Sequence, residues 1–211
     1  MKILTKQEDA PTNRLVRNGQ YPQQVDADIL LTNFCHFQNQ LNENDPLHRD
    51  HWDVSVYITK HNLCTSDGSC DTLGLAEKYS ICNPAKSCTI IEDTGLATAF
   101  TIAHEIGHLL GAIHDDDISC KNYGGEQGVM SPILSPMTKS MRTHLGPWRW
   151  SKCSAVKIKQ SFNNGRGNCL FKRQSVMVRS LMPIIVEKKI PDPIKIISED
   201  EQCQLIFGKG L

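Results

Sequence analysis

His104–Asp115 reads HEIGHLLGAIHD. It closes a segment, Thr98–Leu110, whose apolar pattern predicts a long helix ending at Gly111, the residue type expected just past a helix C-cap. On such a helix, His104 and His108 lie four apart and present their imidazoles on one face, one turn from each other. Two ring nitrogens so placed can bind one tetrahedral metal ion. Gly111 lets the chain leave the helix without a Cβ clash, and the chain can then return His114 as a third nitrogen ligand. A catalytic zinc takes three protein ligands and keeps one position open for water. Glu105 sits ~100° round the helix from His104, beside the metal rather than on it. That position suits a general base that takes a proton from the zinc-activated water and passes it to a leaving amine.

A bare HExxH arises by chance, but the longer string fixes two histidines, a glutamate, a glycine, a third histidine and Asp115 at set spacings. His36, His48, His51, His61 and His144 have no such spacing and read as ordinary surface or core residues. Asp115 reads as a support for the ligands or the helix, its contact not legible. Sixteen residues beyond His114, the turn-rich segment Gly128–Leu134 (GVMSPIL) contains Met130. A histidine helix extended in this way and followed by a methionine turn is the metzincin pattern. Met130 is the better candidate for that methionine, as an apolar floor under the imidazoles, with Met137 the runner-up and an ordinary core methionine the plain alternative.

The rest of the chain sets the context. Its 211 residues suit one ordinary domain with a fragment of a second. Basic and acidic residues balance at 23 each, so no overall field favours nucleic acid or an anionic membrane. Nine cysteines, at 35, 64, 70, 82, 88, 120, 153, 169 and 203, form no CxxC pair. Their spread predicts a disulfide framework in an oxidising compartment, with buried free thiols as the alternative. No stretch has the length of a transmembrane span. Met1–Pro11 has no apolar run of signal-peptide length, so a secreted reading carries the expectation that an original N-terminus lies elsewhere.

Periodicity predicts a helix over Val25–Leu41 and strands at Trp52–Ile58, Ser87–Ile91 and, at an edge, Leu73–Tyr79. Cys64–Cys70 (CTSDGSC) reads as a tight loop. Residues from Asp117 to about Met137 read as loop. Trp150–Phe162 reads as a helix capped by Ser151 and ended by Asn163–Gly167 (NNGRG). Residues 1–173 are expected to form the main domain, 174–200 an extended linker, and 201–211 the start of another domain.

Four stretches, Cys70–Gly74 (CDTLG), Cys82–Asp93 (CNPAKSCTIIED), Gly95–Asp117 and Trp150–Cys169, resemble the ADAMTS family, the secreted disintegrin-like metalloproteinases with thrombospondin motifs. Asp200–Gly208 (DEQCQLIFG) is similar to the opening of that family's disintegrin-like domain. The resemblance runs from about residue 25 to the end. It implies an α/β fold of metzincin type, with a twisted, mostly parallel five-stranded sheet over the active-site helix, crosslinked by disulfides. It implies that Thr72, Leu73, Gly74, Leu75 and Ala76 form an antiparallel edge strand that takes up substrate as a further strand, and that Ser131–Leu134 wall a specificity pocket. It implies the pairs Cys35–Cys88, Cys64–Cys70, Cys82–Cys169 and Cys120–Cys153, with Cys203 left to the following domain. It implies a zinc-dependent endopeptidase acting on extracellular-matrix or other secreted proteins.

The chain departs from that family's pattern in two respects. The family's first strand, first helix and most of its second strand have no counterpart here, with Lys2–Thr5 (KILT) a remnant of that second strand, and the absence of the first strand is expected to expose a sheet edge beside Trp52–Ile58. The calcium positions are altered too. One implied site uses Asp45 and Asp53 but meets Lys172 where the family has an aspartate. The other uses Leu63, Cys70, Thr72 and Glu92, with Asn62 in place of an aspartate; an amide oxygen can still ligate calcium. A competing reading is a catalytically inactive truncated fragment acting at most as a binding module. A structural zinc module is a third reading, weakened because no residue near His114 obviously closes the fourth position.

Overall fold

The computed structural model describes residues 24–48, 50–133 and 149–172. The expected linker at 174–200, the segment 201–211 with Cys203, Lys2–Thr5, Leu134, Met137 and His144 lie outside the described residues. Asp26 decides how the described chain starts. Its side chain accepts a hydrogen bond from Ile29 N–H at 3.0 Å, capping helix α1 (Ala27–Leu41). The cap residue is extended, so Val25 belongs to a short strand, β1 (Gln24–Asp26), rather than to the helix. Along α1 the buried positions are Ala27, Leu30, Phe34, Cys35 and Gln38, the one-sided spacing of an amphipathic helix.

Strand β2 (Ser55–Thr59) begins three residues later than the sequence pattern predicts. The reason is Trp52, whose backbone N–H and C=O both bond the Asn42 side chain, while its indole N–H donates to Gln38 Oε1 at 2.9 Å. These bonds tie Trp52 to the end of α1 instead of to a ladder. Strand β3 (Asn62–Cys64) pairs in parallel with β1. Strand β4 (Gly74–Ala76) is antiparallel and β2 parallel to β5 (Cys88–Glu92), giving the order β2-β5-β4. The described residues thus supply a three-stranded sheet and a separate two-stranded pair, in a mixed α/β arrangement.

In β5 the residues Cys88, Thr89, Ile90 and Ile91 are all fully buried, as expected for a central strand covered on both faces. Cys88 and Ile90 join α1 in one core with Leu30, Phe34 and Leu63. Successive side chains on a strand alternate faces, so Thr89 and Ile91 look the other way, toward helix α2 (Thr98–Leu110), which packs on β5 and β4. Past α2 come a 3-10 turn at Ile118–Tyr123, helix α3 (Lys152–Asn163), capped by Ser151 accepting from Ser154 N–H, and helix α4 (Asn168–Lys172).

Four disulfides cross-link these elements. Cys35–Cys88 ties α1 to β5, and Cys64–Cys70 closes the loop after β3. Cys82–Cys169 ties the β4–β5 connection to α4, and Cys120–Cys153 ties the 3-10 turn to α3. A bridge closing a loop of several tens of residues contributes about 4 kcal/mol by restricting the unfolded chain.

Candidate metal centre

Helix α2 brings His104 and His108 to one face and stops at Gly111, which takes a left-handed φ of 105°. A side chain there would be strained, and its Cβ would also lie 2.7 Å from Ser161 and 2.8 Å from Tyr79. The turn at Gly111 carries the chain back so that His114 joins the pair. The Nε2 atoms of His108 and His114 lie 3.2 Å apart, and one ring nitrogen from each of the three histidines falls within 4.8 Å of the others. Two nitrogens sharing a tetrahedral zinc at ordinary bond length are roughly 3.3 Å apart. Among the described residues this is the one group of three or more His, Cys, Asp or Glu donors gathered closely enough to hold a metal.

The second nitrogen of each helical imidazole is committed elsewhere. His104 Nδ1–H donates to Val129 O at 2.8 Å and His108 Nδ1–H donates to Ala112 O at 3.0 Å. Those bonds fix the tautomer and leave each Nε2 lone pair facing the shared point. Burial holds the pKa of all three histidines down, His108 to about 4. They are therefore neutral near pH 7 and able to ligate.

Glu105 is buried beside the cluster at 5% exposure, and burial pushes its carboxyl up to about 8. It lies directly beneath Gly74 of β4. A Cβ at Gly74 would stand 2.8 Å from Glu105 Cγ and 2.9 Å from its Oε1. The glycine therefore makes room for the carboxyl under the edge of the sheet. One open cleft is lined by Thr72 to Ala76, by the three histidines with Glu105, and by Ser131 to Ile133.

Met130 is fully buried against α2; a Cβ on Gly107 would come 2.5 Å from its sulfur and 2.9 Å from the Trp150 ring. Asp115 is the support whose contact the sequence left unread. Its N–H donates to Met130 O, while its carboxylate accepts from Gly128 N–H at 2.7 Å, Ser151 Oγ at 2.5 Å and Ser154 Oγ at 2.9 Å. The residue after the third histidine thus fastens the methionine turn and the start of α3 together. Ser151 was legible only as a helix cap and Gly74 only as part of the implied edge strand, and nothing in the pattern marked Ser154 or the Val129 carbonyl.

The calcium candidates fall in two places. Asn62, Leu63, Thr72 and Glu92 meet beside the Cys64–Cys70 disulfide: Leu63 bridges Thr72, and its N–H donates to Glu92 Oε2 at 3.1 Å. Asp45 and Asp53 lie in the connection between α1 and β2, with Asp53 3.6 Å from His51.

Three neutral imidazoles converging beside a buried carboxylate, on the wall of an open cleft, define the class of metal-dependent hydrolases that activate water. The chain belongs to the Reprolysin (M12B) family of zinc metalloproteases, whose family model matches residues 18–174. It is 38% identical over 186 residues to mouse "A disintegrin and metalloproteinase with thrombospondin motifs 20", covering 87% of this chain and 9% of that protein. It is 38% identical over 208 residues to Caenorhabditis elegans "A disintegrin and metalloproteinase with thrombospondin motifs gon-1", covering 98% of this chain and 9% of that protein. Mouse "A disintegrin and metalloproteinase with thrombospondin motifs 4" is 36% identical over 92% of this chain and 22% of its own length. The chain thus spans between about a tenth and a fifth of these relatives.

Proposed function

We propose that His104, His108 and His114 hold a catalytic zinc ion and that Glu105 is the general base of an endopeptidase acting on extracellular-matrix or other secreted proteins. The observation that carries this reading is the convergence of three imidazoles and one buried carboxylate on a single cleft. Zinc fits the donor set: three neutral nitrogens, each helical ring held by a backbone carbonyl. Bound there, zinc supplies a Lewis acid that brings the pKa of a coordinated water to about 7.

The protein's own groups do the rest. Strand β4 is paired only on its β5 side among the described residues. A substrate segment can therefore add to the free edge along Gly74–Ala76, the part of the expected Thr72–Ala76 edge that is strand, while Thr72 is bridged to Leu63. Gly74 leaves the passage above Glu105 clear. Glu105 takes a proton from the attacking water and delivers it to the departing amine. Burial favours its protonated form, whereas a nearby dication favours the carboxylate, so both halves of that transfer are accessible. Ser131, Pro132 and Ile133 supply a wall for the side chain beside the scissile bond. Met130 is the floor beneath the imidazoles.

Four disulfides support a secreted setting, and no described helix is long and apolar enough to cross a membrane. Matrix substrates are what the resemblance to the ADAMTS family implies, an argument by analogy. Calcium is a second, structural ligand in this reading, held by oxygens of Asn62, Leu63, Cys70, Thr72 and Glu92; that mixture of carbonyl, amide and carboxylate donors suits the ion. The test of the catalytic assignment is Glu105→Ala. It is expected to retain zinc, measured by elemental analysis, and to lose at least about 100-fold in kcat. Full activity in that variant would remove Glu105 from the mechanism.

A further inference from the structure

Among the described residues, the cleft wall carries one lysine or arginine, which the hydrolytic reading leaves unused. Lys78 lines the same cleft as His104, Glu105, His108 and His114, and its charge is felt at His108 and His114. Its backbone is well fixed. Three residues beyond β4 the chain turns sharply: Tyr79 takes φ 61° and donates its N–H to His108 O at 2.9 Å, and Ile81 N–H donates to Leu109 O at 3.1 Å. The Tyr79 ring carries Arg166 at 4.6 Å over its face. The segment is thereby fastened to the C-terminal end of the helix that carries two of the histidines.

The acids around Lys78 do not neutralise it. Its neighbour Glu77 is paired with Lys86 at 2.6 Å. Asp117 spends its side chain capping Ser119 N–H at 2.8 Å. Asp116 shares the cleft wall but makes no ion pair with Lys78, and no described carboxylate comes within 4.0 Å of its ammonium. At the opposite end of the β4 wall the charged residue is Asp71. The edge strand therefore runs from an anion to a cation across the catalytic centre.

An incoming strand that adds antiparallel to β4 passes Glu105 at Gly74 and has its earlier residues beside Ala76 and beyond. Lys78 lies four residues past Gly74, at most ~13 Å along extended chain, and the turn at Tyr79 shortens that reach. We propose that Lys78 is a specificity-determining residue, whose ammonium selects substrates with a carboxylate side chain on the second or third residue before the scissile bond. This inference rests on the proteolytic reading and on strand addition at β4. A lysine at that place also complements the carbonyl end of α2, a role that would leave substrate choice untouched.

The test uses the full oxidised chain and quenched peptides identical except for Glu or Gln at the second, or at the third, position before the bond. The Glu peptide is expected to show about a 5-fold higher kcat/KM at low salt, the size of one charge pair near a surface, and the advantage should shrink at high ionic strength. The ratio should fall to about one in Lys78→Ala and below one in Lys78→Glu, and stay unchanged in Lys159→Ala on the exposed side of α3. Equal rates for Glu and Gln peptides in the unsubstituted chain, or a preference that survives Lys78→Ala, overturns the inference. Chelator-insensitive or absent cleavage of the Gln peptide instead sinks the proteolytic reading. In that event the same Glu-to-Gln ratio, read as peptide affinity for the Glu105→Gln chain by fluorescence anisotropy, still decides the role of Lys78.

Discussion

Asp115 and Ser151 lie 36 positions apart in the chain, yet the Ser151 hydroxyl donates to Asp115 Oδ1 at 2.5 Å, and both residues are 2% exposed. This bond joins the residue after the third histidine to the cap of α3. With Gly128 N–H and Ser154 Oγ on the same carboxylate, it holds the His114 turn against the methionine turn. Removing the carboxylate strands Gly128 N–H and leaves the Ser151 and Ser154 hydroxyls only each other, at 3.1 Å, so Asp115→Ala should cost about 3 kcal/mol. Ser151→Ala removes one bond and a helix cap and should cost about 1 kcal/mol. Urea unfolding with zinc competition by a graded chelator checks both. The aspartate variant should also weaken zinc retention, because His114 loses its anchor.

Gly74→Ala tests whether Glu105 needs the space beneath the edge strand. The added Cβ would stand 2.8 Å from Glu105 Cγ and from Thr101 Cγ2, too near for any ordinary contact. Zinc content should be unchanged, since no ligand is touched. The expected result is a drop in kcat of about 10-fold or more from displacing the base. Unchanged kcat would mean that Glu105 has room to move without losing its role.

Gly107→Ala probes the packing under the histidines. Its Cβ would meet the Met130 sulfur at 2.5 Å and the Trp150 ring at 2.9 Å. Overpacking of this kind costs about 1–3 kcal/mol. Because the strain falls one residue from His108, thermal unfolding should shift down and zinc should exchange faster. A variant as stable as the parent would show that Met130 does not bear on the helix.

Glu105→Gln gives a pH signature in the metal-free protein. The Glu105 pKa rises from its ordinary value of 4.5 to about 8 on folding. The folded state therefore keeps a proton that the unfolded chain releases, and the penalty for ionisation grows as pH rises from 4.5 to 8. Glutamine carries no such penalty. In chelator-treated samples, the stability of Glu105→Gln relative to the parent should increase by a few kcal/mol between pH 5 and pH 8. A pH-independent difference would place the carboxyl in a wetter setting than the fold shows.

The histidine helix was legible because its periodicity, its glycine stop and its ligand spacing all coincide in Thr98–Gly111, and the structure ends the helix at Leu110 with a left-handed Gly111. The central strand was legible because Ser87–Ile91 (SCTII) is uncharged and rich in β-branched residues, as a buried strand allows. Boundaries were lost where side chains outside the strand compete for the backbone. Trp52 is taken by Asn42 and Gln38, and Tyr79 is taken by the carbonyl end of α2. Short elements such as β1, β3 and α4 have too few residues to carry a period. The contacts of Asp115 were illegible for another reason: its partners sit 13, 36 and 39 residues away; local pattern marks Ser151 only as a helix cap and does not mark Ser154.

The most direct measurement is cleavage of a quenched generic peptide by the purified, oxidised chain, with and without a zinc chelator and after zinc is restored. The account predicts cleavage that stops on chelation and returns with zinc, at one zinc per chain. Cleavage that persists in the metal-free protein, or zinc fully bound at the three histidines with no cleavage at all, would contradict it.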